Sequence, residues 1–172
     1  FGKETLTWSE LKKRTASLST ELRRLGIKKG DRVVAVLPNT PHALISFLST
    51  ASIGAIWSLC APDMGEIAIL DRFRQIEAKL LICQSGYVYA GNFIDKSELI
   101  KNLMRKLPSL DNTIVVNAPG HEKVKGDLEW DNIIGKAEDM CIDTVPFNHP
   151  LWIVYSSGTT GNPKPIVHGH GG

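Results

Sequence analysis

One stretch near the end of the sequence is rich in hydroxyl groups and glycine, and it finishes in a lysine between two prolines. It follows an apolar segment directly and carries no large apolar side chain of its own. Its residues, in order, are Ser156, Ser157, Gly158, Thr159, Thr160, Gly161, Asn162, Pro163 and Lys164. Hydroxyls and successive backbone N–H groups can bind phosphate oxygens, and a lysine supplies positive charge for a polyanion. The pattern predicts a loop that holds phosphate groups.

The glycines and prolines of this stretch favour the same interpretation. Gly158 and Gly161 permit backbone dihedrals that bring the chain close to a ligand. Pro163 and Pro165 restrain the exit of the loop and exclude a helix there. A flexible Gly/Ser/Thr connector is the alternative, but such connectors rarely combine so many hydroxyls with a proline-flanked lysine.

Two common nucleotide-binding motifs do not fit this loop. A Walker A loop requires G-x-x-x-x-G-K-[ST], and counting from Gly158 places Pro163 at the second glycine position. Pro165 stands where the magnesium-binding hydroxyl would follow Lys164. No G-x-G-x-x-G opens a helix after a strand, so a Rossmann fingerprint is also missing from the sequence. P-loop ATPases and Rossmann dinucleotide enzymes are therefore disfavoured.

The bulk composition is that of an ordinary globular protein. The 172 residues are 42% hydrophobic and 22% charged, with a net charge of +2. This balance gives no reason to expect a nucleic-acid partner, and no apolar run is long enough to predict a membrane span. Three widely spaced cysteines, Cys60, Cys83 and Cys141, suggest buried thiols in a reducing compartment, so we expect a cytoplasmic protein.

Segments with strand and helix patterns alternate along the chain. Apolar strands are predicted at Arg32–Leu37, Ala55–Cys60, Lys79–Cys83, Thr113–Val116 and Leu151–Tyr155. Helices are predicted after Ser9 up to Gly26, after Thr40-Pro41, after Asp63 with Glu66 as a capping box and on to about Glu77, after Asp95 with Glu98, and over Leu128–Ala137. The alternation predicts an α/β fold with mainly parallel strands and right-handed crossovers.

The stretch Tyr155–Lys164 resembles the signature loop of the adenylate-forming superfamily, which includes acyl-CoA synthetases, luciferases and peptide-synthetase adenylation domains. Leu6–Leu11, Gly30–Asn39 and Ala51–Trp57 are similar to other family segments in order and spacing. The resemblance covers essentially the whole chain. Three further stretches resemble the acetoacetate-activating branch of the acyl-CoA synthetases: Ser52–Ser58, Leu70–Ile76 and Lys164–Gly172.

The resemblance implies an ATP-dependent acid–CoA ligase with two half-reactions. A carboxylate attacks the α-phosphate of ATP, and the CoA thiol then displaces AMP. The implied ligands are ATP with Mg²⁺, CoA and a small carboxylic acid. The implied fold is the first part of the large N-terminal AMP-binding domain over residues 1–172. We expect the rest of that domain and a small C-terminal domain to lie outside a chain truncated at both ends.

Within these residues, the resemblance assigns only the ATP-phosphate site. The expected phosphate-binding residues are Ser156, Ser157, Gly158, Thr159, Thr160, Gly161 and Lys164. Among them, Ser157, Thr159, Thr160 and Lys164 would hold the β- and γ-phosphates, while the glycines permit the fit. No catalytic residue and no protein ligand to a metal is expected in this part of the enzyme.

Several alternatives remain open at this point. The acid could instead be acetate or propionate, or the chain could be a truncated, non-catalytic binding module of unknown oligomeric state. His168 and His170 are spaced like a metal pair, but with no third ligand they are better candidates for lining the nucleotide or acyl site. Related acetate-activating enzymes carry an R-x-x-R pair near Tyr89–Asn92, so the resemblance carries no CoA contact to this segment.

Overall fold

The computed structural model describes residues 5–136, 138–156 and 161–172. Its α-helices are α1 (Trp8–Arg24), α2 (Pro41–Ser52), α3 (Glu66–Phe73) and α4 (Ser97–Lys106). Its strands are β1 (Arg32–Val36), β2 (Ile56–Cys60), β3 (Leu80–Gln84), β4 (Gly86–Tyr89), β5 (Asn92–Asp95), β6 (Asn112–Val116), β7 (Leu128–Glu129), β8 (Pro150–Ser156) and β9 (Lys164–Gly169). Short 3₁₀ helices cover Arg74–Ile76 and Trp130–Asn132.

The main sheet confirms the predicted α/β fold. Its strands lie in the order β7-β6-β3-β1-β2-β8-β9. The neighbouring pairs from β7 to β8 are parallel, and the final pair, β8 with β9, is antiparallel. The apolar segments predicted as strands therefore form one mainly parallel sheet. The carboxyl ends of its parallel strands, β1, β2, β3, β6, β7 and β8, all lie at the same edge.

Both faces of the sheet are covered, because alternate side chains of each strand point to opposite sides. On β1, Val33 and Ala35 pack with α1 and α2 in one apolar cluster, whereas Val34 and Val36 pack with α3 and α4 in a second. Strands buried on both faces give continuous apolar sequences such as Val33–Val36. The result is a three-layer arrangement in which α3 and α4 share one face.

Two predicted helix starts need correction. Helix α4 begins at Ser97 with Lys96 as its N-cap, so the signal predicted from Asp95 and Glu98 does not form a capping box. The predicted capping box of Asp63 and Glu66 is wrong, because α3 begins at Glu66 with Gly65 as its N-cap. The carboxylate of Glu66 instead accepts from Lys106 Nζ at 2.6 Å and Asn102 Nδ2 at 2.9 Å, which ties α3 to α4. These contacts lower the pKa of Glu66. A capping box does form at the start of α1, between Thr7 and Glu10.

Other boundaries also differ from the sequence-based expectations. The helix predicted on to Glu77 ends at Phe73 and continues as the 3₁₀ turn Arg74–Ile76, after which Glu77 adopts a left-handed conformation with φ 47°. The short helix predicted over Leu128–Ala137 is wrong: Leu128–Glu129 pairs with β6, and of the residues described up to 136 only Trp130–Asn132 is helical. Trp130 is the reason, because its buried side chain anchors this segment under the sheet.

A hairpin that the sequence analysis did not predict follows β3. Strands β4 and β5 pair antiparallel, and Tyr89 faces Asn92 across the turn. The two turn residues, Ala90 and Gly91, have φ values of 48° and 82°. Positive φ at both central residues matches the right-handed twist of a tight hairpin.

We predict that the core on the α3 side is sensitive to loss of Phe73, whose side chain is fully buried. Phe73→Ala should lower the free energy of unfolding by about 3–5 kcal/mol, because it removes buried apolar surface and leaves a cavity. Urea denaturation measures the change. Ile67→Ala is the matched control, since Ile67 lies on the same helix and is 76% exposed. Equal losses for the two variants would contradict this packing.

Candidate functional site

The hydroxyl-rich loop begins at the edge of the sheet where the parallel strands end. Ser156 is the last residue of β8, and β8 runs parallel to β2. The parallel strands β2 and β1, which come next in the sheet, end at the same edge with Cys60 and Val36. Ligands of open α/β sheets bind outside the carboxyl ends of the strands. The loop therefore starts at the edge where this fold places its binding sites.

The two ends of the loop are brought together by strand pairing. Ser156 and Lys164 are direct partners across the antiparallel β8–β9 pair. Lys164 is exposed, and within the described ranges it forms no ion pair. Gly161 has a φ of 140°, a value that residues with a side chain rarely adopt. The geometry leaves an uncompensated positive charge beside the first hydroxyl of the loop.

Two of the predicted phosphate-binding residues, Ser156 and Lys164, are thus brought together, and Gly161 lies three residues before Lys164 in the chain. The other predicted residues, Ser157, Gly158, Thr159 and Thr160, lie outside the described residues. Their assignment to the phosphates stays a prediction.

Strand β8 is less buried than its sequence suggests. Ile153 is its one buried residue, and the other six are partly exposed. The strand lies next to the edge strand β9, most of which is exposed. Two contacts hold β8 in place: Ser58 Oγ donates to Ile153 O at 2.8 Å, and the Trp152 ring packs 5.1 Å from the ring of Phe47.

Helix α3 and its 3₁₀ extension contact both ends of the loop. The hydroxyl of Tyr155 donates to the carbonyl oxygen of Arg72 at 2.7 Å, and the guanidinium of Arg72 lies 5.6 Å from the Tyr155 ring centre. Gln75 Nε2 donates to Pro163 O at 3.0 Å. The sequence analysis assigned no site role to Arg72 or Gln75. No local sequence signal identifies these contacts, because the partners are 83 and 88 residues apart.

The side chains just below the loop are held in their uncharged forms. Burial raises the pKa of the Tyr155 phenol to about 12. Burial likewise raises the pKa of the Cys60 thiol to about 11, although the charge of Arg72 opposes it. Cys60 and Cys83 are buried free thiols as predicted, but Cys141 is exposed, which corrects the expectation for the third cysteine. The segment around Cys141 follows the surface of α1, where Arg23 donates to its carbonyl.

The two histidines after the loop do not lie beside it. His168 pairs with Trp152 in the middle of β8, and Gly169 pairs with Pro150 at the start of β8. His170 follows, with its backbone N–H donating to His149 O at 3.0 Å. Partial burial, together with the nearby His149, lowers the pKa of His170. At about 3.3 Å per residue, the length of β9 separates His170 from Lys164. The expectation that the two histidines line the nucleotide or acyl site stays a prediction.

Other candidate sites can be placed as well. Tyr89 and Asn92 form the exposed end of the β4–β5 hairpin. Within the described residues, no group of three or more His, Cys, Asp or Glu side chains could hold a metal ion. No helix there has the length and apolar character needed to cross a bilayer.

The family comparison decides between the classes of phosphate-binding protein. The family described as AMP-binding enzyme matches residues 1–172. This chain belongs to the AMP-binding enzyme family. The match covers the loop and the sheet that carries it, so the resemblance seen in the loop extends over the whole fold.

Three similar proteins within this family are named acetoacetyl-CoA synthetase. The chain is 42% identical to acetoacetyl-coenzyme A synthetase of Rhizobium meliloti (strain 1021) over 97% of the chain and 26% of that protein. It is 38% identical to acetoacetyl-CoA synthetase of Rattus norvegicus over 97% and 26% of the two chains. A solved acetoacetyl-CoA synthetase from Streptomyces lividans matches with a TM-score of 0.95 and 44% identity over 98% of this chain and 26% of that one. This chain of the AMP-binding family thus spans about a quarter of the length of these relatives.

The raised pKa of Tyr155 predicts a loss of stability at high pH. Above about pH 10 the unfolded chain loses its phenolic proton, whereas the folded chain keeps it up to about pH 12. The unfolded state therefore binds fewer protons in this interval, and the free energy of unfolding falls as pH rises. Below pH 10 both states hold the proton, so Tyr155 adds no pH dependence there.

Urea denaturation between about pH 9 and pH 11 measures this effect by comparing the wild-type protein with Tyr155→Phe. The phenylalanine variant should lose less stability over this range, since it has no phenol to titrate. Lysines titrate in both proteins and cancel in the comparison. Parallel pH profiles for the two proteins would contradict the burial of a neutral phenol at this position.

Proposed function

We propose that this chain is the phosphate-holding part of an acyl-CoA synthetase that activates acetoacetate. The observation that carries the proposal is the pairing of Ser156 with Lys164, which sets an exposed lysine at the mouth of a hydroxyl-rich loop. Membership of the AMP-binding family supports a nucleotide as the ligand. The relatives named acetoacetyl-CoA synthetase support acetoacetate as the acid.

In the proposed reaction, a carboxylate oxygen of acetoacetate attacks the α-phosphorus of ATP. The bond from that phosphorus to the bridging oxygen breaks, and pyrophosphate leaves with the electron pair. The thiolate sulfur of CoA then attacks the acyl carbon of the adenylate, and AMP leaves. The loop acts in the first step, because it would hold the β- and γ-phosphates that become pyrophosphate.

The residues of this chain would contribute positioning and charge. The ammonium group of Lys164 would bind oxygens of the leaving pyrophosphate, and Ser156 with the hydroxyls that follow would donate hydrogen bonds to them. Fixing these oxygens aligns the α-phosphorus with the attacking carboxylate. Among the described residues, no group of three or more His, Cys, Asp or Glu side chains could hold a metal ion. We propose that Mg²⁺ arrives bound to the phosphates of ATP.

The remaining parts of the reaction would come from outside this chain. It spans about a quarter of the length of its relatives, and we propose that residues 1–172 are the first part of the AMP-binding domain. Adenine, acid and CoA recognition would then depend on further residues of a complete synthetase. The buried thiols Cys60 and Cys83 are in keeping with a cytoplasmic, reducing environment.

The role of Lys164 can be tested by acid-dependent exchange of labelled pyrophosphate into ATP, using the complete gene product. Lys164→Ala should reduce the exchange rate at limiting MgATP by about 10- to 100-fold, because a charge-assisted contact to phosphate is lost. Lys125→Ala is the control, since Lys125 is exposed in the loop of residues 117–126 next to β6, and strands β3, β1 and β2 separate β6 from β8. Undiminished exchange in Lys164→Ala would argue against the proposed function.

The same exchange assay tests the choice of acid. With acetoacetate, acetate and propionate supplied in turn at equal concentration, acetoacetate should support the fastest exchange. Faster exchange with acetate or propionate would leave the acyl-CoA synthetase assignment intact and change the substrate.

We also predict that the isolated 172-residue chain does not release pyrophosphate from MgATP and acetoacetate, since most of the length of its relatives is missing from it. A coupled pyrophosphate assay measures this, with the complete gene product as the positive control. Turnover by the isolated chain would show that adenylation needs none of the additional residues.

A further inference from the structure

We propose that helix α3 and its 3₁₀ extension position the phosphate loop, and that Gln75 is a positioning residue for the β- and γ-phosphates of ATP. This inference rests on the proposed function, because it concerns the same loop. The helical segment Glu66–Ile76 touches the chain immediately before and immediately after the loop. It thereby holds the backbone near both ends of the loop, at Tyr155 and at Pro163.

The contact near the end of the loop depends on the side-chain amide of Gln75. Gln75 Nε2 donates to Pro163 O at 3.0 Å and to Asp71 O at 2.6 Å. Both partners are carbonyl oxygens, which only accept, so two N–H donors on one nitrogen are needed to satisfy them. Pro163 is the residue before Lys164, and its nitrogen cannot contribute a hydrogen bond of its own. The contact from Gln75 therefore restricts the backbone from which the Lys164 side chain extends.

The contact before the loop comes from the same helix. Tyr155 lies one residue before Ser156, and its hydroxyl donates to Arg72 O at 2.7 Å. The side chain of Arg72 is fixed in turn, since its Nη1 donates to Ala68 O at 2.6 Å. Tyr155 also packs against the apolar cluster that α3 shares with the sheet. Both ends of the loop are thus held by one helical segment, Glu66–Ile76.

The segment Glu66–Ile76 can serve as a fixed reference because its apolar side is buried. Ile69 and Phe73 are inaccessible to solvent, and Ile76 is nearly so. Gln75 lies on the opposite, exposed side and adds little to the core. A hydrogen bond at such a surface contributes only about 1 kcal/mol to folding. A large functional effect of Gln75 would therefore arise from the geometry of the loop and not from overall stability.

The chemistry of the loop explains why such positioning matters. Donors aimed at phosphate oxygens stabilise the leaving group most when they need no rearrangement as the reaction proceeds. A hydroxyl- and glycine-rich sequence buries no apolar surface and so cannot order itself through packing. The positions of its two ends are set by β8–β9 pairing and by α3. Loss of the Gln75 contact should specifically weaken the binding of the β- and γ-phosphates of ATP.

The test compares the affinities of the complete gene product for MgATP and for AMP by isothermal titration calorimetry. Gln75→Met keeps the length of the side chain, removes both donors and leaves the net charge unchanged. We expect the Kd for MgATP to rise about five- to tenfold, the size of effect expected from losing a hydrogen bond of this kind. The Kd for AMP should stay within about twofold, because AMP lacks the β- and γ-phosphates.

Two further variants complete the experiment. Tyr155→Phe removes the hydroxyl contact to Arg72 but keeps the ring, and it should also lower MgATP affinity while sparing AMP. Asn132→Met is the matched control, since Asn132 is an exposed amide on the other 3₁₀ helix. It should change neither affinity. Thermal unfolding of each variant checks that the fold is retained.

The inference and the proposed function fail in distinguishable ways. If the wild-type protein shows no selectivity for MgATP over AMP, the phosphate-holding function and the inference are both overturned. If the wild-type protein shows that selectivity and Gln75→Met retains it, the function stands and the positioning role is overturned. Equal weakening of MgATP and AMP by Gln75→Met would also overturn it, since that result indicates a general structural effect.

Discussion

The parallel alignment of the strands is the constraint on which the rest of this structure depends. Because β1, β2, β3, β6 and β8 run in one direction, their carboxyl ends form one edge, and the chain that leaves β8 emerges there. The return strand β9 then pairs antiparallel with β8 and brings Lys164 opposite Ser156. Strand direction and register, which backbone hydrogen bonds fix, thus determine where the hydroxyl-rich loop opens.

A phosphate loop and a stable fold make opposite demands on sequence. Hydroxyls, glycines and an exposed lysine are suited to a polyanion, but they contribute no burial to hold the segment in place. Here the neighbouring elements supply the order. Two apolar clusters fix the sheet and α3, and α3 with its 3₁₀ extension contacts Tyr155 and Pro163 at the two ends of the loop. The edge that carries the loop can therefore stay polar and exposed, while the elements beneath it are held by apolar packing.

Much of this arrangement could be predicted from the sequence, wherever a local pattern carried the information. Continuous apolar runs such as Val33–Val36 identified the buried parallel strands, and Gly26 marked the end of α1. The failures arose where tertiary contacts override local signals. Glu66 binds Lys106 and Asn102 instead of capping its own helix, and the burial of Trp130 interrupts a predicted helix. Gln75 could not be identified at all, since its partner Pro163 is distant in sequence and the contact depends on the packing of α3.

The most direct test of the central claim, that this loop holds the terminal phosphates of a nucleotide, is a titration of the chain labelled with ¹⁵N-glycine by inorganic tripolyphosphate. The reagent carries the phosphate chain without adenosine, so it isolates the interaction assigned to the loop. The account predicts saturable shifts of the Gly158 and Gly161 amide resonances, while glycines far from the loop, such as Gly30 before β1 and Gly120 after β6, do not move. Absence of shifts at Gly158 and Gly161, or equal shifts at all four glycines, would contradict it.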